Sequence, residues 1–402
     1  MNVKLRLSRT TLLAAVLLGG HAEAATLFKD EEKGVAVNVG VLVQPWLQIT
    51  GPGSAGEGSP GIGAADGKSP SFDFFLRRAR LMVYGSVTKE LSYFVETDQP
   101  NFGKGGDFTS SMFIQDAFFS YAFVPEFTID AGMMLVPLSH HTIEGAIGLN
   151  ALDYHADMIR FPAGKIFRDT GIQLRGLLLN KLLHYRLGVF EGVRQSAVPA
   201  PAMPPPVPPV PLNDNGLPRF VGQLRVNILG DESDFFLKGI YFTPKPLLSV
   251  GIGADLQSKA VRKLNGDPGL YRALSADVFV DYPFTADDEL IVKANVFNYG
   301  EGVSGIPGST ALAAGGTAFY GEAGFRLGWI EPLAFIEYLK AKNDSLTILS
   351  SHVGVNFWAT KHTFNIKTDI GYRKTERSAV APATGNVTLK DWLATVQGQV
   401  FF

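Results

Sequence analysis

The 402-residue sequence predicts an all-β protein, a 16-stranded antiparallel transmembrane β-barrel with short periplasmic turns and long extracellular loops. Three observations predict it. The chain is 46% hydrophobic with 29 Phe and 44 Gly, yet beyond its first residues it has no run of eighteen apolar residues, so helical membrane spans are excluded. Segments of period-two alternation recur along its length. The last fifteen residues, Thr388 to Phe402, alternate a polar row (Thr395, Gln397, Gln399) with an apolar one (Ala394, Val396, Val400) and end on two phenylalanines. A strand with lipid on one side and water on the other reads this way.

The N-terminus reads as an export signal. Lys4, Arg6 and Arg9 precede an apolar stretch from Thr11 to Gly20, and Ala22-Glu23-Ala24 fits a small-x-small cleavage site, giving a mature start at Ala25. Cleavage there leaves 33 basic against 37 acidic residues, a net charge of −4, so no basic field points to nucleic acid. Cysteine is absent, which excludes disulfides and thiolate metal sites. Residues 25–402 are then one barrel domain in the bacterial outer membrane.

Sixteen alternating segments follow in order: 34–50, 71–87, 90–99, 111–123, 127–136, 168–179, 183–192, 219–229, 248–257, 271–282, 289–299, 316–329, 333–342, 346–358, 362–373 and 387–402. An even count suits a single-chain bacterial barrel, and the last segment should close against the first. Tight turns such as Thr88-Lys89 and Val124-Pro125-Glu126 alternate with long loops, which puts the short turns on one rim. Residues 230–247 depart from this: a short turn is expected, and Phe235 to Phe242 could form an extra strand. Trp46, Tyr84, Tyr121, Tyr282, Trp329, Trp358 and Tyr372 lie near strand ends and are expected in interfacial girdles.

Two loops stand out. The 193–218 loop carries eight prolines between Pro199 and Pro211 and reads as a stiff extracellular arm. The 137–167 loop follows the fifth strand and is the candidate constriction loop. Its His140, His141, Glu144, Asp153, His155 and Asp157 could supply metal ligands, but their spacing fits no standard site, and the expectation is no metal and no cofactor. Gly51-Pro52-Gly53-Ser54-Ala55-Gly56 has the spacing of a dinucleotide loop, but Pro52 and the Gly/Pro-rich run after it forbid the helix such a loop must open. No catalytic serine or carboxylate motif is present, so an enzyme is not expected.

Period two assigns side chains to lumen or lipid. Arg78 and Arg80 fall on the lumen face and Arg77 on the other, near a rim or subunit interface, since an arginine in lipid at the bilayer centre costs about 2–4 kcal/mol. The candidate anion path comprises Arg78, Arg80, Arg160, Lys165, Arg168, Arg175, Arg225 and Arg326, with Arg78, Arg80, Arg160, Lys165, Arg168 and Arg175 at the constriction. Lumen acids, among them Glu96, Asp116, Asp255, Asp277, Glu322 and Glu337, nearly balance these cations.

Four ordered runs resemble the phosphate-selective porin O and P family: Phe75-Leu76-Arg77-Arg78-Ala79-Arg80-Leu81, Gln115-Asp116-Ala117-Phe118-Phe119-Ser120-Tyr121, Asp130-Ala131-Gly132 through Val136-Pro137-Leu138, and Arg168-Asp169-Thr170-Gly171-Ile172-Gln173-Leu174. The resemblance implies a homotrimeric porin for small hydrophilic solutes or anions, seated among membrane lipid and lipopolysaccharide and inserted by the outer-membrane barrel assembly machinery. Leu135 and Val136 stand where the family often has lysine, so small solutes in general are expected, inorganic anions such as phosphate among them. The alternative is a structural or adhesive barrel that binds through its Pro-rich loop.

Overall fold

The computed structural model describes residues 25–51, 70–155, 158–159, 167–193, 212–263, 267–302, 315–342, 344–377 and 387–402. The proposed signal, the Pro-rich run, Arg160, Lys165 and Asp157 lie outside them.

Among the described residues there are seventeen strands: β1 (Ala25–Asp30), β2 (Val35–Thr50), β3 (Ser71–Ser86), β4 (Leu91–Asp98), β5 (Phe113–Val124), β6 (Phe127–Leu135), β7 (Arg168–Leu178), β8 (Leu183–Phe190), β9 (Arg219–Leu229), β10 (Leu247–Arg262), β11 (Pro268–Pro283), β12 (Asp288–Tyr299), β13 (Gly316–Leu327), β14 (Ile330–Ala341), β15 (Leu346–Thr360), β16 (Phe364–Arg377) and β17 (Val387–Phe401). Strands β2 to β17 form the closed sixteen-stranded antiparallel ring, each beside its sequence neighbours. They are the sixteen expected segments. Closure follows from the environment: hydrocarbon offers no hydrogen bonds, so every edge amide must be paired within the chain.

The seam joins β17 to β2 from Leu393↔Thr50 to Phe401↔Leu42. Backbone bonds between Val41 and Phe402 finish it, at 2.7 and 3.1 Å. Inside, the Gln44 amide donates to Gln399 at 2.7 Å and the Trp46 indole to Gln397 at 2.7 Å, so the polar row of the last strand is stitched across the closure. The short β1 was not anticipated. It pairs with β2 from Ala25↔Val39 to Asp30↔Val35, covering the part of that edge that β17 is too short to reach.

Three features of the interior depart from a simple period-two barrel. First, the inward rows are not uniformly polar. At the long-loop end, Phe297, Tyr320, Leu339 and Ile348 are buried in one cluster with Met158, Ile159, Val193 and Leu212 from the loops. A period-two pattern separates two faces but does not say what covers the inner one. Second, Trp46 and Trp358 are buried and point inward, where Trp46 packs on Phe75 and Leu152, and Trp358 donates to Glu331 at 2.7 Å. Tyr84 likewise meets Phe94, whose ring contacts Phe118 and Phe236. Tyr121, Tyr282, Trp329 and Tyr372 are exposed on the outer surface as expected. Third, Arg77 does not keep to the face opposite Arg78, where it is expected near a rim or subunit interface. A bulge between Gln44 and Pro45 shifts the β2–β3 register, so that Arg77 and Arg78 both reach Asp153. A bulge sets two residues against one, and the alternation changes phase there.

Candidate functional site

The described part of the connection from β6 to β7, residues 136–155 and 158–159, folds into the barrel rather than standing above it. Its backbone is compacted by Thr142, whose hydroxyl accepts the Ser139 amide at 3.0 Å and donates to the Val136 carbonyl at 3.0 Å. Two short 3-10 turns follow, His141–Ile143 and Ala146–Gly148. Val136, Leu138, Ile143 and Leu149 are buried beneath them.

The loop is fastened to the inner wall by charge. His140 lies 2.8 Å from Glu144 in the loop and 2.8 Å from Glu232 between β9 and β10. His155 lies 2.8 Å from Glu337 on β14 and 3.1 Å from Glu322 on β13. Asn150 donates to Glu331 at 2.8 Å, and the Lys367 ammonium donates to the Ala151 carbonyl at 3.1 Å. Burial alone would lower the His155 pKa, but the bonds to Glu322 and Glu337 outweigh it and raise it to about 9. His140 is raised in the same way by Glu232 and Glu144 against its burial. Burial also opposes ionisation of Glu144, yet Lys293 and the two histidines hold it well below the usual range. His141 goes the other way: buried against Tyr320 and His155, it falls to about 4. Of the loop residues considered as metal ligands, His140, Glu144, Asp153 and His155 bond groups outside the loop, and Asp157 lies outside the described residues. Among the described residues no group of three or more such side chains is arranged to hold a metal.

Six of the eight candidate cations are described, and each is held by a carboxylate. Arg78 bonds Asp153 of the inward loop and donates to Gln44 at 2.9 Å. Arg80 lies 2.9 Å from Glu96 and 3.0 Å from Asp98. Arg168 lies 2.9 Å from Asp116 and Arg175 2.9 Å from Asp130. Arg225 bonds Asp277 at 2.5 Å, and Arg326 bonds Glu289 at 2.6 Å. Arg78, Arg80 and Arg168 come together on the wall formed by β3, β4, β5 and β7, where Arg168 also approaches Glu96 at 3.9 Å. Arg175 joins a different group on β6–β8, and Arg326 caps the short-turn rim by donating to the Gly328 carbonyl at 2.6 Å.

Three more buried cations lie outside the candidate set. Arg219 bridges Asp255 and Asp169, the latter at 3.0 Å. Lys293 joins Glu322 at 3.1 Å to Glu144 at 3.4 Å, tying β12 and β13 to the loop. Lys367 holds loop carbonyls. Arg219 was legible: it is in phase with Gln223 and Arg225 on one strand. The loop-binding roles of Lys293 and Lys367 were not, because their partners are 149 and 216 residues away in the chain.

Residues 63–195 match the family described as phosphate-selective porin O and P. That match and the closed sixteen-stranded ring together support an outer-membrane porin. The matched stretch spans β3 to β8 and contains the inward loop. Solved structures agree in fold over nearly the whole porin. The outer membrane channel DcaP of Acinetobacter baumannii is 12% identical with a TM-score of 0.56, covering 93% of this chain and 99% of that one. An anion-selective porin from Comamonas acidovorans is 11% identical with a TM-score of 0.54, covering 92% and 100%. The trimer form of OmpT, an outer membrane protein of Vibrio cholerae, is 12% identical with a TM-score of 0.50, covering 92% and 100%. No curated protein matches the sequence. The porin thus provides passive diffusion across the bacterial outer membrane, and family and fold point to a channel rather than an enzyme.

Proposed function

We propose that the porin passes small hydrophilic solutes, inorganic anions such as phosphate among them, with only a weak ionic preference, and that it works as a homotrimer. The pairing of all six described candidate arginines with carboxylates supports the weak preference. A cationic ring selects anions by its uncompensated field, and a paired arginine contributes little of it. The inward loop serves as the constriction in this reading, with Arg78, Arg80 and Arg168 as the cationic part of its wall; Arg160 and Lys165, on the same loop, are proposed to line it too. An anion-selective porin and a trimeric one among the structural neighbours favour anion passage and the trimer.

Planar-bilayer recording in a potassium chloride gradient tests this. Discrete channel steps are expected, with a reversal potential close to zero and partial block by phosphate and sulfate. A silent bilayer containing correctly inserted protein would remove the reading. Arg80→Gln provides a sharper check. It leaves Glu96 and Asp98 without their cation, so the reversal potential should move toward cation selectivity; no movement would take Arg80 out of the solute path. Cross-linking in mild detergent should give a ladder ending at three subunits.

A further inference from the structure

Between β9 and β10 the chain does not make the short periplasmic turn expected of it, nor the extra strand. Residues 230–246 enter the lumen from the periplasmic rim. Leu237 and Ile240 are fully buried there. At one end Phe235 stacks on Phe118 of β5 with centroids 4.3 Å apart, and Phe236 meets Phe94 of β4 at 5.0 Å. At the other, Phe242 meets Trp358 of β15 at 5.1 Å, and the Ile240 carbonyl lies 3.0 Å from His362 Nε2. β5 and β15 are six strands apart by the shorter way round the ring. The segment is therefore a strap across the interior.

The strap is bonded to the inward loop, backbone to backbone. The Leu237 amide donates to the Ile143 carbonyl at 3.0 Å, the Gly145 amide to the Leu237 carbonyl at 3.0 Å, and the Gly239 amide to the Gly148 carbonyl at 2.8 Å. Glycine is needed where the two chains touch: a Cβ on Gly148 would sit 2.9 Å from Lys238 Cγ, and one on Gly239 would sit 2.6 Å from the Asn150 nitrogen. Glu232 adds the charged link to His140 and accepts from Tyr241 at 3.1 Å.

The strap also covers cations. Phe235 lies under the guanidinium groups of Arg175 and Arg186, at 5.3 and 5.4 Å. Arg186 donates to the Asp234 carbonyl at 2.9 Å and to His184 at 3.3 Å, and among the described residues no carboxylate forms an ion pair with it within 4.0 Å, although Asp130 is near enough to act on its charge. An aromatic ring and a backbone carbonyl shield a guanidinium from passing anions without neutralising it.

We infer that residues 230–246 form a second constriction, raised from the periplasmic rim and clasped to the β6–β7 loop, which limits solute passage and masks a basic patch on β7 and β8. This rests on the porin reading above and deepens it. The test replaces residues 231–246 by Asn-Gly, a two-residue turn suited to an antiparallel hairpin. In planar bilayers the variant should show about twofold or greater single-channel conductance, as expected when an inward segment leaves a pore. Its reversal potential in a potassium chloride gradient should shift toward anions as Arg186 is uncovered. A conducting wild type with an equally conducting variant overturns the inference and leaves the porin reading intact. A silent wild type overturns both. Higher conductance with an unmoved reversal potential removes the masking.

Should the shortened variant not assemble, Gly145→Cys with Phe236→Cys decides the clasp in the full chain, which has no cysteine of its own. A Cβ on Gly145 falls 3.2 Å from Phe236 Cβ, near the spacing of about 3.8 Å that a disulfide requires. Copper phenanthroline should form the bridge, read as a faster band on a denaturing gel that dithiothreitol abolishes. Failure to form it overturns the clasp.

Discussion

His155→Leu should free the C-terminal part of the inward loop and give a larger, noisier single-channel conductance. His155 is fully buried between Glu322 and Glu337, stacked on Tyr320 at 4.1 Å. Leucine fills much of the space but offers neither N–H, so two carboxylates lose their shared cation inside the barrel. Removing one partner of a buried ion pair costs about 3–5 kcal/mol, mostly through the charge left behind. Lys293 still neutralises Glu322, but among the described residues of the loop only His155 bonds Glu337. The loop relieves this by detaching and admitting water, because the barrel itself is held by its own backbone ladder. Current traces should therefore change while the heat-modifiable mobility of the folded barrel does not. Traces identical to wild type would mean that the loop is held elsewhere, at Asn150 and Lys367.

Alkaline solution should produce the same release reversibly. His155 sits at about 9 in the docked loop against an ordinary 6.5, and a histidine with a raised pKa stabilises the docked form fully below its free value. That stabilisation is lost as pH climbs from about 6.5 through 9. At about 1.36 kcal/mol per unit, it amounts to about 3 kcal/mol. His140, raised as well, adds to it in the same direction. The opposite limb belongs to the acids. Glu232 is held at about 2: burial opposes its ionisation, but His140 and Arg225 outweigh that, so its contribution is present above 4.5 and is lost as pH falls through 2. Conductance should then be flat from about pH 5 to 6.5, and rise and fluctuate above pH 9. In His155→Leu the alkaline step should shrink to the part due to His140. A flat profile up to pH 10 would contradict the assignment of His155 as the docking cation.

Much of the wall was readable because a lipid-facing strand must alternate and every edge must be paired, and both constraints act locally. All sixteen barrel strands lay where the alternation put them, and the polar row Thr395, Gln397 and Gln399 does face inward, to Gln44 and Trp46 across the seam. Where local rules broke, so did the reading. The bulge beside Pro45 reversed the phase at Arg77, and Trp46 and Trp358 had the look of girdle residues but serve the interior.

The sequence by itself determined the sixteen-stranded barrel, its closure and the residues that can face the lumen, since hydrophobic period and hydrogen-bond satisfaction are properties of each strand and its neighbours. Only the tertiary structure decided what fills the lumen. His140 meets Glu232 and His155 meets Glu322 across 92 and 167 residues of chain, and a strap from the opposite rim bonds to the loop through bare glycine backbone. Nothing in a periodicity encodes such pairings: they depend on which charges two inward-folded segments bring within bonding distance once the barrel has closed around them.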